Sequence, residues 1–187
     1  MLDIPCVILS GGKSSRMGED KSLLPFKNST LIEYQYNRLS KIFKKVYISS
    51  KTNKFDFDCD IIYDNNSDIS SPMVALESIL DYIETKVFII GVDIPFVRDD
   101  TILKLVESSK SYNITVAKDE IYIHNLCGVY SKSILPIVKT YINNNIHKIN
   151  NLLQADTNIV TFTNKEQFLN LNNKEQYKEA LKINHKN

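Results

Sequence analysis

The stretch ILSGGKSSRMGEDKSLLPF, Ile8 to Phe26, places the adjacent glycines Gly11 and Gly12 ahead of the cations Lys13, Arg16 and Lys21. Glycines let a backbone approach a ligand closely and point its N–H groups at an anion. Arg16 and Lys21, with Lys13 at the rim, add charge that neutralises phosphate oxygens. Asp93 follows the apolar run VFIIG inside GVDIPF, and an acid at the end of a buried strand can hold Mg²⁺ against phosphates gathered by the first loop. Together these residues point to a polyphosphate bound with a divalent cation, although two glycines before a lysine also suit a solvated surface loop. The spacing is neither G-x-x-x-x-G-K-[ST] nor G-x-G-x-x-G with an acid near position +20. Asp64 is a weaker candidate, because Asp-Asn-Asn-Ser is ordinary turn chemistry. Asp99 and Asp100 are expected to cap a helix. His124, His147 and His185 are too scattered for a triad or a zinc site, and His124 is expected to be hydrogen-bonded locally at a strand end.

Such residues meet only if the chain folds as alternating strands and helices. Ile4–Ser10, stopped by the two glycines, reads as a strand buried on both faces. Thr30-Leu31-Ile32-Glu33 has the form of a capping box and opens a helix. Val46–Ser49 and Asp60–Tyr63 read as strands, and Ser71-Pro72 starts a helix from Met73 to about Thr85. Lys86–Val92 reads as the central strand. Further helices are expected at Thr101–Ser109, Lys132–Asn144 and Asn173–Lys182, with strands near Ile114–Ala117, Cys127–Tyr130 and Ile159–Phe162. This order predicts an α/β fold whose mostly parallel sheet is covered on both faces. The tract YINNNIHKINNLLQ is expected to be surface helix or loop rather than a disordered tail.

The chain has 187 residues, 43% of them hydrophobic and 24% charged, with a formal charge of +1. That length suits one domain over residues 1–187, and that charge gives no bulk attraction to nucleic acid or to anionic membranes. No apolar run approaches the roughly 20 residues of a membrane span, and the N-terminus enters a strand directly, which points to the cytoplasm. Cys6, Cys59 and Cys127 lack metal-ligand spacing and are expected to be buried thiols.

With these residues in view, the chain resembles the molybdenum cofactor guanylyltransferases. The opening stretch matches L-[AS]-G-G-x-S-x-R-M-G-x-D-K at nearly every defining position, and Ser14 with Asp20 separates it from the looser pattern of the wider nucleotidyltransferases. YDNNSDISSPMVAL, IGVDIPFV, HNLCGVY and FLNLNNKEQY resemble four later family segments in the right order. The resemblance implies a three-layer Rossmann-like nucleotidyltransferase fold. It implies that Leu9, Ser10 and Gly11 line the nucleotide, that Gly12, Arg16 and Lys21 surround its triphosphate, and that Ser49 and Asp64 are further nucleotide contacts. Asp93 is implied as the Mg²⁺ ligand, and Asn170 and Asn172 as neighbours of the acceptor. The implied reaction transfers GMP from GTP to Mo-molybdopterin, with Arg16, Lys21 and Asp93 catalytic. A molybdenum-insertion protein and apo-molybdoenzymes are implied partners. The chain departs from the family at Ser71 and Ala75, where glycines are usual, at Asn125, where a proline is usual, and at Asn173-Lys174. Ser71 and Ala75 leave base choice open, so a cytidylyltransferase, a transferase with another phosphorylated acceptor, and a non-catalytic nucleotide or cofactor carrier remain alternatives.

Overall fold

Alternate residues of the central strands feed two different cores. In β1 (Cys6–Leu9) and β6 (Val87–Gly91) every side chain is buried. Cys6, Ile8, Phe88 and Ile90 join one core, whereas Val7, Leu9, Val87 and Ile89 join the other. This is the two-residue period of a strand covered on both faces. Burying such a side chain stabilises the fold by about 1.5–3 kcal/mol.

The computed structural model describes residues 1–11, 19–64, 71–154 and 156–183. Gly12, Lys13, Ser14 and Arg16 lie outside the described residues. Between β1 and β6 in sequence come a small hairpin of β2 (Pro25–Phe26) and β3 (Ser29–Thr30), and the strands β4 (Val46–Ser50) and β5 (Asp60–Tyr63). β7 (Ile114–Lys118), β8 (Ile123–Tyr130) and β9 (Thr157–Thr161) complete a seven-stranded sheet in the order β5-β4-β1-β6-β8-β7-β9. β8 runs antiparallel to both neighbours and the other pairings are parallel. The carboxyl ends of β1, β4, β5, β6 and β7 therefore share one edge, which the start of β8 joins.

Helices cover both faces. α1 (Leu31–Leu39) begins at the expected Thr30 cap, whose Oγ1 accepts from the Glu33 N–H at 3.4 Å. α2 (Pro72–Tyr82) is capped by Ser71 Oγ, which accepts from Val74 N–H at 3.2 Å. It stops at Tyr82, short of the expected Thr85, because Ile83 leaves helical geometry and turns into the second core. α3 (Asp99–Ser108) is preceded by Arg98, so Asp99 and Asp100 occupy the first turn rather than the cap. There their charge still complements the helix dipole. α4 (Leu135–Asn143) follows a 3₁₀ turn, and α5 (Lys174–Ile183) sets the buried Ala180 on the first core. The asparagine-rich tract is surface structure, but Ile149 and Leu152 anchor it in the second core. Cys6 and Cys127 are buried as expected, whereas Cys59, just before edge strand β5, is half-buried.

The pairing of β7 with β8 is interrupted by a bulge between Val116 and Ala117. Here Gly128 lies so close to β7 that a Cβ would stand 2.2 Å from the Thr115 carbonyl oxygen and 2.9 Å from Val116 Cα. Backbone cannot yield to that contact cheaply, so Gly128→Ala is expected to destabilise the fold by about 3 kcal/mol or more, measured as the shift of the urea unfolding midpoint.

Candidate functional site

At the shared sheet edge the chain leaves β1 through Leu9, Ser10 and Gly11. Val92 N–H donates to the Leu9 carbonyl at 3.1 Å, and both the N–H and the hydroxyl of Ser10 donate to the Ser49 carbonyl at 3.1 Å. These bonds extend the β4-β1-β6 ladder beyond the strands and hold Ser10 almost fully buried. Gly11 is exposed, and among the described residues the nearest heavy atom to a Cβ placed there is Asp64 Oδ2 at 4.0 Å.

Ser49 and Asp64, from the ends of β4 and β5, form a pair: Ser49 Oγ donates to Asp64 Oδ1 at 3.0 Å. Burial pushes the Asp64 carboxyl above its ordinary value of 3.8, against the opposing effects of Ser49 and Lys51. Asp64 is thus a partly desolvated acid at the carboxyl edge of the sheet, the kind of position that marks functional sites. The local turn chemistry that made it ambiguous in sequence does not account for its bond to Ser49.

On the other side of β1 a second cluster forms from four distant parts of the chain. Asp20 caps the 3₁₀ turn Lys21–Leu23, its Oδ1 accepting from Ser22 N–H at 3.0 Å and from Ser22 Oγ at 2.7 Å, while its Oδ2 takes Lys54. Burial works against the charge of Asp20, but Lys54 and Ser22 outweigh it and keep its carboxyl below the ordinary range. The capped turn aims Lys21 at β6: its Nζ lies 3.0 Å from Asp93 Oδ2 and donates to Asn172 Oδ1 at 2.9 Å. The Lys21 and Asp93 side chains are 17% and 23% exposed, so the pair is shielded yet open to a ligand. Leu171 N–H closes the cluster by donating to the Asp93 carbonyl at 2.8 Å. Asn170 lies beside it, its Oδ1 buried without a donor among the described residues. A cavity of about 550 Å³ opens there, lined among others by Tyr122, His124, Phe168 and Asn170.

The fold therefore brings together Lys21, Asp93 and Asn172, and separately Ser49, Asp64 and Gly11, on either side of Leu9 and Ser10. Gly12 and Arg16 lie outside the described residues. His124 is bonded locally as expected, its Nε2 lying 2.9 Å from Asp119 Oδ2. The sequence reading missed Lys54, Gln176, whose Oε1 accepts from Asn172 N–H at 3.0 Å, and the role of Gly91. The Asp20-x-Ser22 spacing was a legible turn signal, but Lys54 and Gln176 had no local signature. Among the described residues no three His, Cys, Asp or Glu side chains gather as a metal cage. One partly exposed carboxylate, that of Asp93, nonetheless fits Mg²⁺, which is commonly held by one or two carboxylates, waters and substrate phosphates.

Residues 6–159 match the family described as the MobA-like NTP transferase domain. The chain belongs to this family. It is 42% identical over 179 residues to a protein named molybdenum cofactor guanylyltransferase from Campylobacter jejuni subsp. doylei, covering 94% of each chain. It is 33% identical to a protein of the same name from Helicobacter pylori, over 97% of this chain and 93% of that one. A solved structure from Archaeoglobus fulgidus, described as molybdopterin-guanine dinucleotide biosynthesis protein A, has the same fold with a TM-score of 0.81 at 20% identity, covering 98% of this chain and all of the other. The chain is a nucleotidyltransferase, and its three-layer α/β architecture is that of the family.

Two predictions concern the acids at this edge. A Cβ on Gly91 would stand 2.6 Å from Asp93 Oδ1, and the carboxylate tip can move aside where backbone could not. Gly91→Ala is expected to lower nucleotidyl transfer about 100-fold, the cost of a misplaced reacting group, with little change in melting temperature. For Asp64 the folded carboxyl keeps its proton to higher pH than the unfolded one. Its contribution to stability is therefore full below the unfolded pKa and lost as pH rises through the raised folded value. Asp64→Asn is expected to match or exceed the parent chain in melting temperature at pH 7, to lose that advantage near pH 4, and to bind nucleotide more weakly by calorimetry.

Proposed function

We propose that the chain transfers GMP from GTP to Mo-molybdopterin, releasing pyrophosphate. The observation that carries this reading is the Lys21–Asp93–Asn172 cluster at the carboxyl edge of β1 and β6, in a chain 42% identical over almost its whole length to a protein named for that reaction. In an open sheet, ligands bind beyond the carboxyl ends of the strands.

Leu9 and Ser10, bonded into the ladder, line the nucleotide site, and the exposed Gly11 offers the nucleotide its backbone groups, with Ser49 and Asp64 on the side of the base and ribose. Lys21 faces the triphosphate, the resemblance gives Gly12 and Arg16 to the same phosphates, and Asn170 and Asn172 face the acceptor. An oxygen of the acceptor's terminal phosphate forms the new bond to the α-phosphorus as the bond from that phosphorus to the pyrophosphate oxygen breaks. The attacking phosphate is already an anion and needs no general base. What this chain contributes is position and charge: Lys21 keeps Asp93 oriented from one side, Leu171 N–H holds its backbone from the other, and Lys21 and Arg16 meet the charge that builds on the leaving group. Asp93 is the residue that would hold Mg²⁺, which when bound supplies further neutralisation of the phosphate oxygens.

The return of α5 onto the first core, with Tyr177 OH bonded to the Pro25 carbonyl, supports reading residues 1–187 as one domain. The unpaired thiols of Cys6, Cys59 and Cys127 suit a reducing cytoplasm. A molybdenum-insertion protein and apo-molybdoenzymes are the proposed partners.

Lys21→Ala and Asp93→Asn are each expected to lower acceptor-dependent pyrophosphate release at least about 100-fold while leaving the circular dichroism spectrum of the fold intact. Near-normal release by either variant would remove the role given to that residue. Calorimetric titration with GTP, CTP and ATP in the presence of Mg²⁺ is expected to favour GTP. Preference for CTP, or indifference among bases, would replace the guanylyl reading with the cytidylyl or wider one, and tight GTP binding without acceptor-dependent release would support the carrier.

A further inference from the structure

The turn between β7 and β8 is held by polar contacts rather than by apolar packing. Ile121 and Tyr122 at its tip are 69% and 67% exposed, so burial does little to fix its shape. Asp119 does that work. It is buried, and its Oδ1 accepts from the N–H groups of Ile121 at 2.7 Å and Tyr122 at 2.6 Å, while its own N–H donates to the Tyr122 carbonyl at 3.0 Å. Its second oxygen, Oδ2, faces His124 Nε2 at 2.9 Å. Burial opposes the charge of Asp119, but the two backbone donors and His124 outweigh it and hold its carboxyl below the usual range. An ionised carboxylate only accepts, so Nε2 carries the proton.

This bond fixes the plane of a ring that does something further. The His124 imidazole lies flat on the ring of Phe168, with centroids 4.2 Å apart and planes 11° apart. Phe168 ends the 3₁₀ turn Glu166–Phe168, and the next residues are Leu169, Asn170, Leu171 and Asn172. Leu171 N–H reaches the Asp93 carbonyl, and Asn172 takes the Lys21 ammonium. Another anchor, Gln167, accepts from the Thr101 hydroxyl at 2.7 Å and from Arg98 N–H at 3.2 Å, tying the turn to the start of α3. Gln167 fixes the turn on the helix side, and the Phe168 ring fixes it on the sheet side.

We propose that Asp119 and His124 are positioning residues which, through the Phe168 ring, hold the segment Asn170–Asn172 in register against Asp93 and Lys21. Their contribution to catalysis, which rests on the nucleotidyl-transfer reading above, is the geometry of the Leu171 and Asn172 bonds.

The test compares the intact chain with Asp119→Asn, Phe168→Leu and the double variant. Two readouts are taken: hydrogen exchange at the Leu171 amide, and kcat and nucleotide KM for pyrophosphate release in the presence of acceptor. Each single substitution is expected to speed Leu171 exchange about tenfold and to lower kcat about tenfold, the scale of one good hydrogen bond. Nucleotide KM and exchange at Val7 and Ile89 should be nearly unchanged. Because both substitutions act through one ring, the double variant should be no worse than the more damaging single one. Val138→Ala, a truncation in the second core remote from the site, serves as a control that lowers the melting temperature without moving either readout. The proposal is overturned if Leu171 exchange is unaffected, if the two effects multiply, or if Val138→Ala reproduces them. A parent chain that releases no pyrophosphate would sink the transfer reading, while the exchange measurement would still decide the clamp.

Discussion

The ammonium group of Lys21 is the contact on which the site depends, because it is the only described side chain bonded to both Asp93 and Asn172. These three residues come from a turn after β1, the end of β6 and the approach to α5. Each must be presented at the same edge of the sheet, and each is held by a device of its own. Asp20 caps the turn that aims Lys21, the absence of a side chain on Gly91 leaves room for the Asp93 carboxylate, and Gln176 holds the backbone of Asn172. Preorganisation of this kind lets a site meet charge without reorganising during the reaction.

The Ser49–Asp64 pair on the opposite side of β1 follows a different physical logic. Burial disfavours the charge of Asp64, and one serine hydroxyl only partly compensates. An acid kept in this setting costs the fold stability as pH rises through its raised pKa. The two sides of β1 thus differ: the Lys21 side orients charges that are well paired, and the Asp64 side keeps an acid whose burial is only partly compensated.

Two departures from the family pattern acquire a structural meaning. Ser71, where glycine is usual, caps α2 and places its hydroxyl 3.5 Å from His147 Nδ1. Asn125, where proline is usual, donates to Asn150 Oδ1. Both substitutions supply a side chain that meets the asparagine-rich tract, and Ile149 and Leu152 anchor that tract in the second core. The tract is therefore tied to the start of α2 and to β8, which its composition alone did not indicate.

Strand and helix order was legible in the chain because it follows from local rules. Apolar runs ending before Gly11 and Asp93, the Thr30 cap and the Ser71-Pro72 start each act over a few residues, and all four appear in the fold. The candidate residues Lys21, Asp93, Asn172, Ser49 and Asp64 were also named in advance, but not their pairings. Lys21 and Asn172 are 151 positions apart, and no local pattern reports a contact that depends on crossover connections across the sheet. The helix end at Tyr82, the half-buried Cys59, the β7–β8 bulge against Gly128 and the stacking of His124 on Phe168 were decided in the same way. Residue types and their periods determined which elements form and where charge is carried, whereas packing of the two cores decided which charges meet.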